Sequence, residues 1–140
     1  MPSQPLDNLV KIGQLKEEPP SNDELTGLLR TARLKCTDSQ NTALSLESRF
    51  ELVYSAAHSF ALAALRSHGY RSEDRYTVFQ CLAHTSNLEN AKIRILSDAH
   101  NKRNLAAYEG KVDISETFVN ALIDVLISLR DFCKDLDPKT

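Results

Sequence analysis

The sequence is poor in aromatic residues and carries no strong excess of charge. Of its 140 residues only 6% are aromatic, tryptophan is absent, and the formal net charge is −2 at pH 7. A chain so close to neutral builds no overall field that would attract it to nucleic acid or to an anionic membrane. If the chain binds a polyanion, it must therefore do so through a local basic cleft.

Disorder signals, cysteine pairs and long apolar runs are also scarce. Four glycines, five prolines and no long polar tract argue against disorder away from the chain ends. Cys36, Cys81 and Cys133 are widely spaced and form no CxxC motif, which favours reduced thiols. No apolar run is long enough to span a bilayer, and the first residues lack the pattern of a signal peptide. We therefore expect a cytoplasmic protein without a membrane segment.

Capping motifs and apolar periodicity predict the first two long helices. Residues 21–24 (SNDE) have the S-x-x-E form of a capping box and predict a helix that continues to about Thr37. Apolar residues then recur every three to four positions from Leu44 to His68, and Gly69 ends the pattern. Because apolar residues lie on more than one side of this second helix, we expect it at the centre of the fold.

Three further helices follow, and strand signals are nearly absent. The sequence predicts a short helix over residues 72–84, a helix opened by a second S-x-x-E box at residues 86–89, and a last helix that begins near residues 113–116. No run of alternating β-branched residues and no Asn-Gly or Asp-Gly hairpin occurs. The predicted fold is an all-α, up-and-down bundle of four or five helices over residues 21–140. Residues 1–20 are expected to form either a short packing helix or an arm that reaches for a partner.

The segment DAHNKRNLAAYEG places polar residues on a helical face that should be buried. Ile93 and Leu96 set up that face on a helical wheel. Four polar residues fall on it or beside it: His100, Arg103, Asn104 and Tyr108. Since burying an unpaired polar group costs a few kcal/mol, these side chains should have partners or line a cleft. Periodicity alone leaves both interpretations open.

Two motifs of the chain resemble those of the HEPN family of small helical-bundle proteins. The central helix LVYSAAHSFALAALRSHGY ends in a glycine and an aromatic residue, and KRNLAAYEG carries an arginine, a polar residue and a ring near a helix end. The resemblance covers about residues 43–136. It implies a homodimer in which the arginine-bearing helices of the two subunits meet and form a shared basic cleft.

The catalytic motif of that family is incomplete in this chain. Catalytic HEPN proteins cleave RNA without a metal, through an arginine followed four to six residues later by a histidine. By the resemblance, Arg103 matches the arginine and Asn104 the adjacent polar residue. The histidine positions instead hold Tyr108, Glu109 and Gly110. The base that would activate a ribose 2′-hydroxyl is therefore missing, although Tyr108, Glu109 and His100 stay open as substitutes.

The sequence thus favours a non-catalytic HEPN-like module that binds RNA, a nucleotide or a partner protein through a dimer cleft around Arg103. The candidate ligand-binding residues are His100, Arg103, Asn104 and Tyr108, and no catalytic residue is assigned. We expect no cofactor and no metal, because no two histidines have the spacing of a helical metal site. By the resemblance, a partner would be a nucleotidyltransferase of a toxin–antitoxin or defence pair.

Two alternatives stay open: a metal-independent endoribonuclease with a degenerate R-x4-6-H motif, and a purely structural or interaction homodimer. The surroundings of Arg103 bear on whether a cleft exists. If Glu47, Glu51 or another carboxylate neutralises Arg103 within the bundle, the cleft interpretation weakens.

Overall fold

Helices make up most of this chain in a computed structural model that describes residues 4–110 and 113–138. In chain order they are α1 (Gln4–Lys11), α2 (Asn22–Ser39), α3 (Leu46–Ser67), α4 (Arg75–Gln80), α5 (Leu82–Thr85), α6 (Asn90–Glu109) and α7 (Glu116–Cys133). A 3₁₀ turn, Lys134–Leu136, follows α7. The long helices α2, α3, α6 and α7 form the bundle, so the all-α prediction is confirmed. No helix in the described ranges has the length and apolar character needed to cross a membrane.

Helix α3 lies at the centre of the bundle and contacts α2, α4, α6 and α7. Its aromatic residues Phe50, Tyr54 and Phe60 are at most 1% exposed, and all five of its alanines are buried. Alanine adds little bulk, so several neighbouring helices can pack closely around this one. The prediction of a central helix buried on more than one face is confirmed.

Local capping chemistry sets most of the helix ends. Ser21 and Ser115 accept hydrogen bonds from the backbone N–H groups three residues later, at the starts of α2 and α7. Gly69 and Gly110 follow the ends of α3 and α6 with φ of +89° and +77°, a conformation that costs glycine little. Signals of this kind act over one turn, which is why the sequence located those at Ser21, Gly69 and Gly110, whereas it gave the start of the last helix only as residues 113–116.

Two predicted helix starts were wrong. The short fourth helix is capped by Asp74, not by Ser72, and it breaks into α4 and α5 at Cys81. The predicted box at residues 86–89 does not form. The Ser86 hydroxyl donates to the Leu82 carbonyl and accepts from the Leu88 N–H, so it closes a turn before α6 begins.

Helix α1 and the segment that follows it pack against the bundle. Leu6 of α1 is fully buried and Leu15 is 3% exposed. Two short strands, β1 (Lys16–Glu17) and β2 (Tyr70–Arg71), pair antiparallel with Lys16 opposite Arg71. A strand of two residues contains too little alternation for sequence reasoning to find.

Arg66 anchors this segment from inside the bundle. Its side chain is 1% exposed and lies against Glu24 of α2, with Nε and Nη2 both bonded to the carboxylate. Its remaining donors reach the backbone carbonyls of Glu18, Pro19 and Tyr70. Lysines and arginines cluster between positions 66 and 103 of the sequence, a pattern typical of a solvated charged surface. For Arg66 that interpretation was wrong.

Candidate functional site

Three helices meet around the side chain of Tyr54, on the side of the bundle where α6 passes α3 and α4. Tyr54 comes from α3, Arg75 from the first turn of α4, and His100 and Arg103 from α6. The Tyr54 ring is 1% exposed and packs edge-on against Phe79 of α4, with 5.7 Å between ring centroids. The buried ring therefore provides a fixed support around which the polar groups are arranged.

His100 is held at both ring nitrogens. Its Nδ1 lies 2.9 Å from the Tyr54 hydroxyl, and its Nε2 lies 3.0 Å from the Asn104 amide nitrogen. The ring of Tyr76 lies beside it, at a centroid distance of 5.9 Å. The imidazole is therefore oriented by two helices.

Two arginines approach the same tyrosine ring. The guanidinium carbon of Arg103 lies 5.0 Å from the Tyr54 centroid, and that of Arg75 lies 5.5 Å from it. Both distances fall in the range of cation–π attraction. Within the described ranges no carboxylate forms a salt bridge with Arg75. Two arginines thus contact one buried ring, and Arg75 is not paired to an acid.

Glu51, one of the carboxylates that could neutralise Arg103, contacts it, but the pair lies at the surface. The Nε–Oε2 distance is 3.4 Å, and the two side chains are 38% and 50% exposed. An exposed ion pair of this kind is worth about 1 kcal/mol at most. Its single bond uses Nε, and no bond from the two terminal nitrogens of Arg103 is found within the described ranges. Arg103 therefore retains donors that a ligand can occupy.

The side chains of His100 and Tyr54 are held in their neutral forms. Burial lowers the pKa of His100, and the Arg103 and Arg75 guanidiniums act in the same direction, against the Asp74 carboxylate. Burial also lowers the pKa of the neighbouring His58 to about 4. The pKa of Tyr54 is raised by burial, with Arg75 opposing. At neutral pH the positive charge of the site therefore comes from its arginines.

A shallow groove opens beside Arg103. Its volume is about 370 Å³, and its lining includes Glu47, Glu51, Arg103, Asn104 and the last turn of α6. Tyr108 does not belong to this groove. Its side chain is 91% exposed, and in the described part of the chain it has no hydrogen bond or ring contact with Arg103 or His100. The structure thus brings His100, Arg103 and Asn104 together and leaves Tyr108 apart.

Sequence reasoning missed Tyr54 and Arg75. Tyr54 was assigned to the apolar core by periodicity, and Arg75 to a solvated basic surface. One signal was present for the tyrosine, since a buried phenol needs a hydrogen-bond partner for its hydroxyl. No comparable signal marks Arg75, because its place beside Tyr54 depends on the break between α3 and α4.

The sequence matches no protein-family model, and comparisons with curated proteins and with solved structures gave no match. Within the described residues no group of three or more histidine, cysteine, aspartate or glutamate side chains could hold a metal ion. The arrangement around Tyr54 combines two arginines with neutral hydrogen-bonding groups, and the carboxylates of Glu47 and Glu51 lie at its edge.

Proposed function

We propose that this chain is a HEPN-like module that binds the phosphate of RNA or of a nucleotide and does not cleave it. The observation that carries the proposal is the pair of arginines, Arg75 and Arg103, around the buried Tyr54 ring. Guanidinium groups match the geometry of phosphate oxygens and bind them with two parallel hydrogen bonds.

The pairing pattern of the arginines supports a ligand. A structural arginine normally has its donors bonded, as those of Arg66 are. Arg103 has one long bond to an exposed carboxylate, and Arg75 has no acidic partner in the described ranges. A phosphate bound within reach of both guanidiniums would form charge-assisted hydrogen bonds with each. Asn104, exposed at the edge of the groove, offers a further donor.

Binding without cleavage fits the state of His100. A general base needs a free nitrogen within reach of the proton that it removes. Both nitrogens of His100 are engaged, by Tyr54 and by Asn104. One observation favours the endoribonuclease alternative, namely that the lowered pKa keeps the imidazole neutral and thus able to accept a proton. Incubation of labelled single-stranded RNA with the protein in EDTA decides this point, and we expect intact RNA.

The binding test uses fluorescence anisotropy with a short single-stranded RNA, alongside titrations with a mononucleotide. We expect Arg103→Ala and Arg75→Ala each to weaken binding about tenfold or more, the loss of a hydrogen bond to a charged group. Arg94→Ala is the matched control, because Arg94 is an exposed arginine on the same helix. The affinity for RNA should also fall with salt, in proportion to the phosphates that are neutralised. Equal binding by all three variants would contradict the proposal.

We also propose that the chain is a homodimer joined near the end of α6. Leu105 and Tyr108 are 57% and 91% exposed, and none of residues 100–110 is buried. The resemblance to HEPN proteins leads us to expect the partner's arginine-bearing helix on this surface, and a nucleotidyltransferase as a second partner. Light scattering after size-exclusion chromatography should give twice the mass of the chain for the wild type. Tyr108→Glu should give the monomer, and a monomeric wild type would contradict the dimer.

A further inference from the structure

A second cleft lies at the start of α4, next to the group formed by Tyr54, Arg75, His100 and Arg103, which we call the arginine site. It has a volume of about 520 Å³ and lies between residues 13–16, after α1, and residues 71–77, at the start of α4. Tyr76 belongs to both places, because its ring lines this cleft and also lies 5.9 Å from the ring of His100. The neighbouring residue Arg75 lies against Tyr54 in the arginine site. Two consecutive residues of one helical turn therefore serve two adjoining sites.

The lining of this cleft suits a flat, neutral, polar group. Tyr76 exposes 44% of its surface, and the buried Leu15 adds apolar area. Charged residues of both signs, Lys16 and Arg71 against Glu73 and Asp74, leave no net charge in the lining. Gln14 and Ser72 bring amide and hydroxyl groups to it. The cleft thus differs from the arginine site, where two guanidiniums contact one buried ring.

We infer that this cleft binds the base of the nucleotide whose phosphate lies between Arg75 and Arg103, with the base stacked on Tyr76. The inference rests on the proposed phosphate site. Stacking on an aromatic side chain accepts any base, because every base has a π face. Gln14 can donate and accept hydrogen bonds with the polar edge of a base. A volume of about 520 Å³ falls within the usual range for small-molecule sites.

The test compares AMP with ribose 5-phosphate, which has the same phosphate and sugar and lacks the base, by NMR titration of the ¹⁵N-labelled protein. We expect AMP to bind about tenfold more tightly than ribose 5-phosphate. Tyr76→Ala should weaken AMP binding about tenfold, to the affinity of ribose 5-phosphate, and should change the binding of ribose 5-phosphate much less. Tyr76→Phe should restore AMP binding, since it keeps the ring. Because Tyr76 is at the surface, the amide spectrum of the alanine variant also shows directly that the fold is kept.

The outcomes separate this inference from the proposed function. Equal affinities for AMP and ribose 5-phosphate, both lost in Arg103→Ala, would overturn the base site and leave the phosphate site standing. Binding of neither compound to the wild type, together with no binding of RNA, would overturn both. A tenfold preference for AMP that Tyr76→Ala does not reduce would place the base elsewhere, and it would also overturn the inference. Tighter binding of a short RNA than of AMP would identify RNA as the source of the phosphate.

Discussion

Replacing Arg66 with methionine should be among the most destabilising single changes in this protein. The side chain is 1% exposed, and its guanidinium bonds a carboxylate and three backbone carbonyls. Methionine keeps much of the unbranched stem and removes every donor. The variant therefore isolates the hydrogen bonds and the charge, with only a small change in packing.

The expected loss follows from what the change leaves behind. Removing one partner of a buried ion pair typically costs about 3–5 kcal/mol. Two features reduce that figure here, since the Glu24 side chain is 25% exposed and keeps its bond to Arg71. Three carbonyls lose their donors, at a cost of about 1 kcal/mol or more for each that stays buried. We therefore expect a loss of about 3 kcal/mol, which is roughly 10 °C in Tm for a domain of this size.

Urea denaturation followed by circular dichroism measures the free energy of unfolding, with Arg94→Met as the exposed control on α6. A loss below about 1 kcal/mol, equal to that of the control, would refute the reasoning.

The dependence of stability on acid pH provides a second measurement. The bond to Arg66 holds the pKa of Glu24 below its ordinary value, so this group stabilises the fold above about pH 4.5 and that contribution is lost as the pH falls through the lower, folded pKa. Arg66→Met should weaken that dependence, and an unchanged acid transition would count against it.

Three further predictions concern pH, thiols and glycines. Stability should fall between about pH 6.5 and pH 4, because the unfolded chain binds a proton on His58 at its ordinary pKa while the folded chain does so only near pKa 4. Urea midpoints of the wild type and of His58→Gln measure this loss, and parallel curves would contradict it. Burial raises the pKa of Cys81 to about 11 and that of Cys133 to about 12. A thiol reagent such as DTNB at pH 8 should therefore find no reactive thiol in the folded protein and all three after denaturation, and rapid reaction of the native state would refute the assignment. Gly27→Ala, inside α2, should raise the free energy of unfolding by about 0.5–1 kcal/mol, whereas Gly69→Ala, at φ +89°, should lower it by about 1 kcal/mol. Shifts of the same sign in the two variants would contradict this.

The elements that sequence reasoning found are those whose signals lie within one helical turn. The serine cap at Ser21, the glycine ends at Gly69 and Gly110, and the apolar periodicity of α3 were all readable from neighbouring residues. The box at Ser86 shows the limit of such signals, because the same hydroxyl can cap a helix or close a turn. The choice between the two depends on where α5 ends, which the local pattern does not contain.

The candidate site was predicted only as far as α6 extends. His100, Arg103 and Asn104 were identified because they interrupt the apolar pattern of one helix. Their partners lie far away in the chain, as in the contact between Tyr54 and His100, which spans 46 residues. Such a pairing depends on how three helices are oriented, and a single sequence contains no measure of that. Arg75 and Tyr76 were identified as residues of the candidate site only from the folded chain, because their contacts also depend on how the helices are oriented.

Arg66 holds together the two short strands that border the cleft beside Tyr76. The strands β1 and β2 are two residues long, too short to fix the chain by themselves. Arg66 bonds the carbonyl of Glu18, next to β1, and that of Tyr70, within β2, so one guanidinium joins both strands. Lys16 and Arg71, which face each other in this pair, line the cleft beside Tyr76. An arginine whose donors are all bonded thus holds one wall of the cleft in place, beside the arginines that the proposed phosphate would contact.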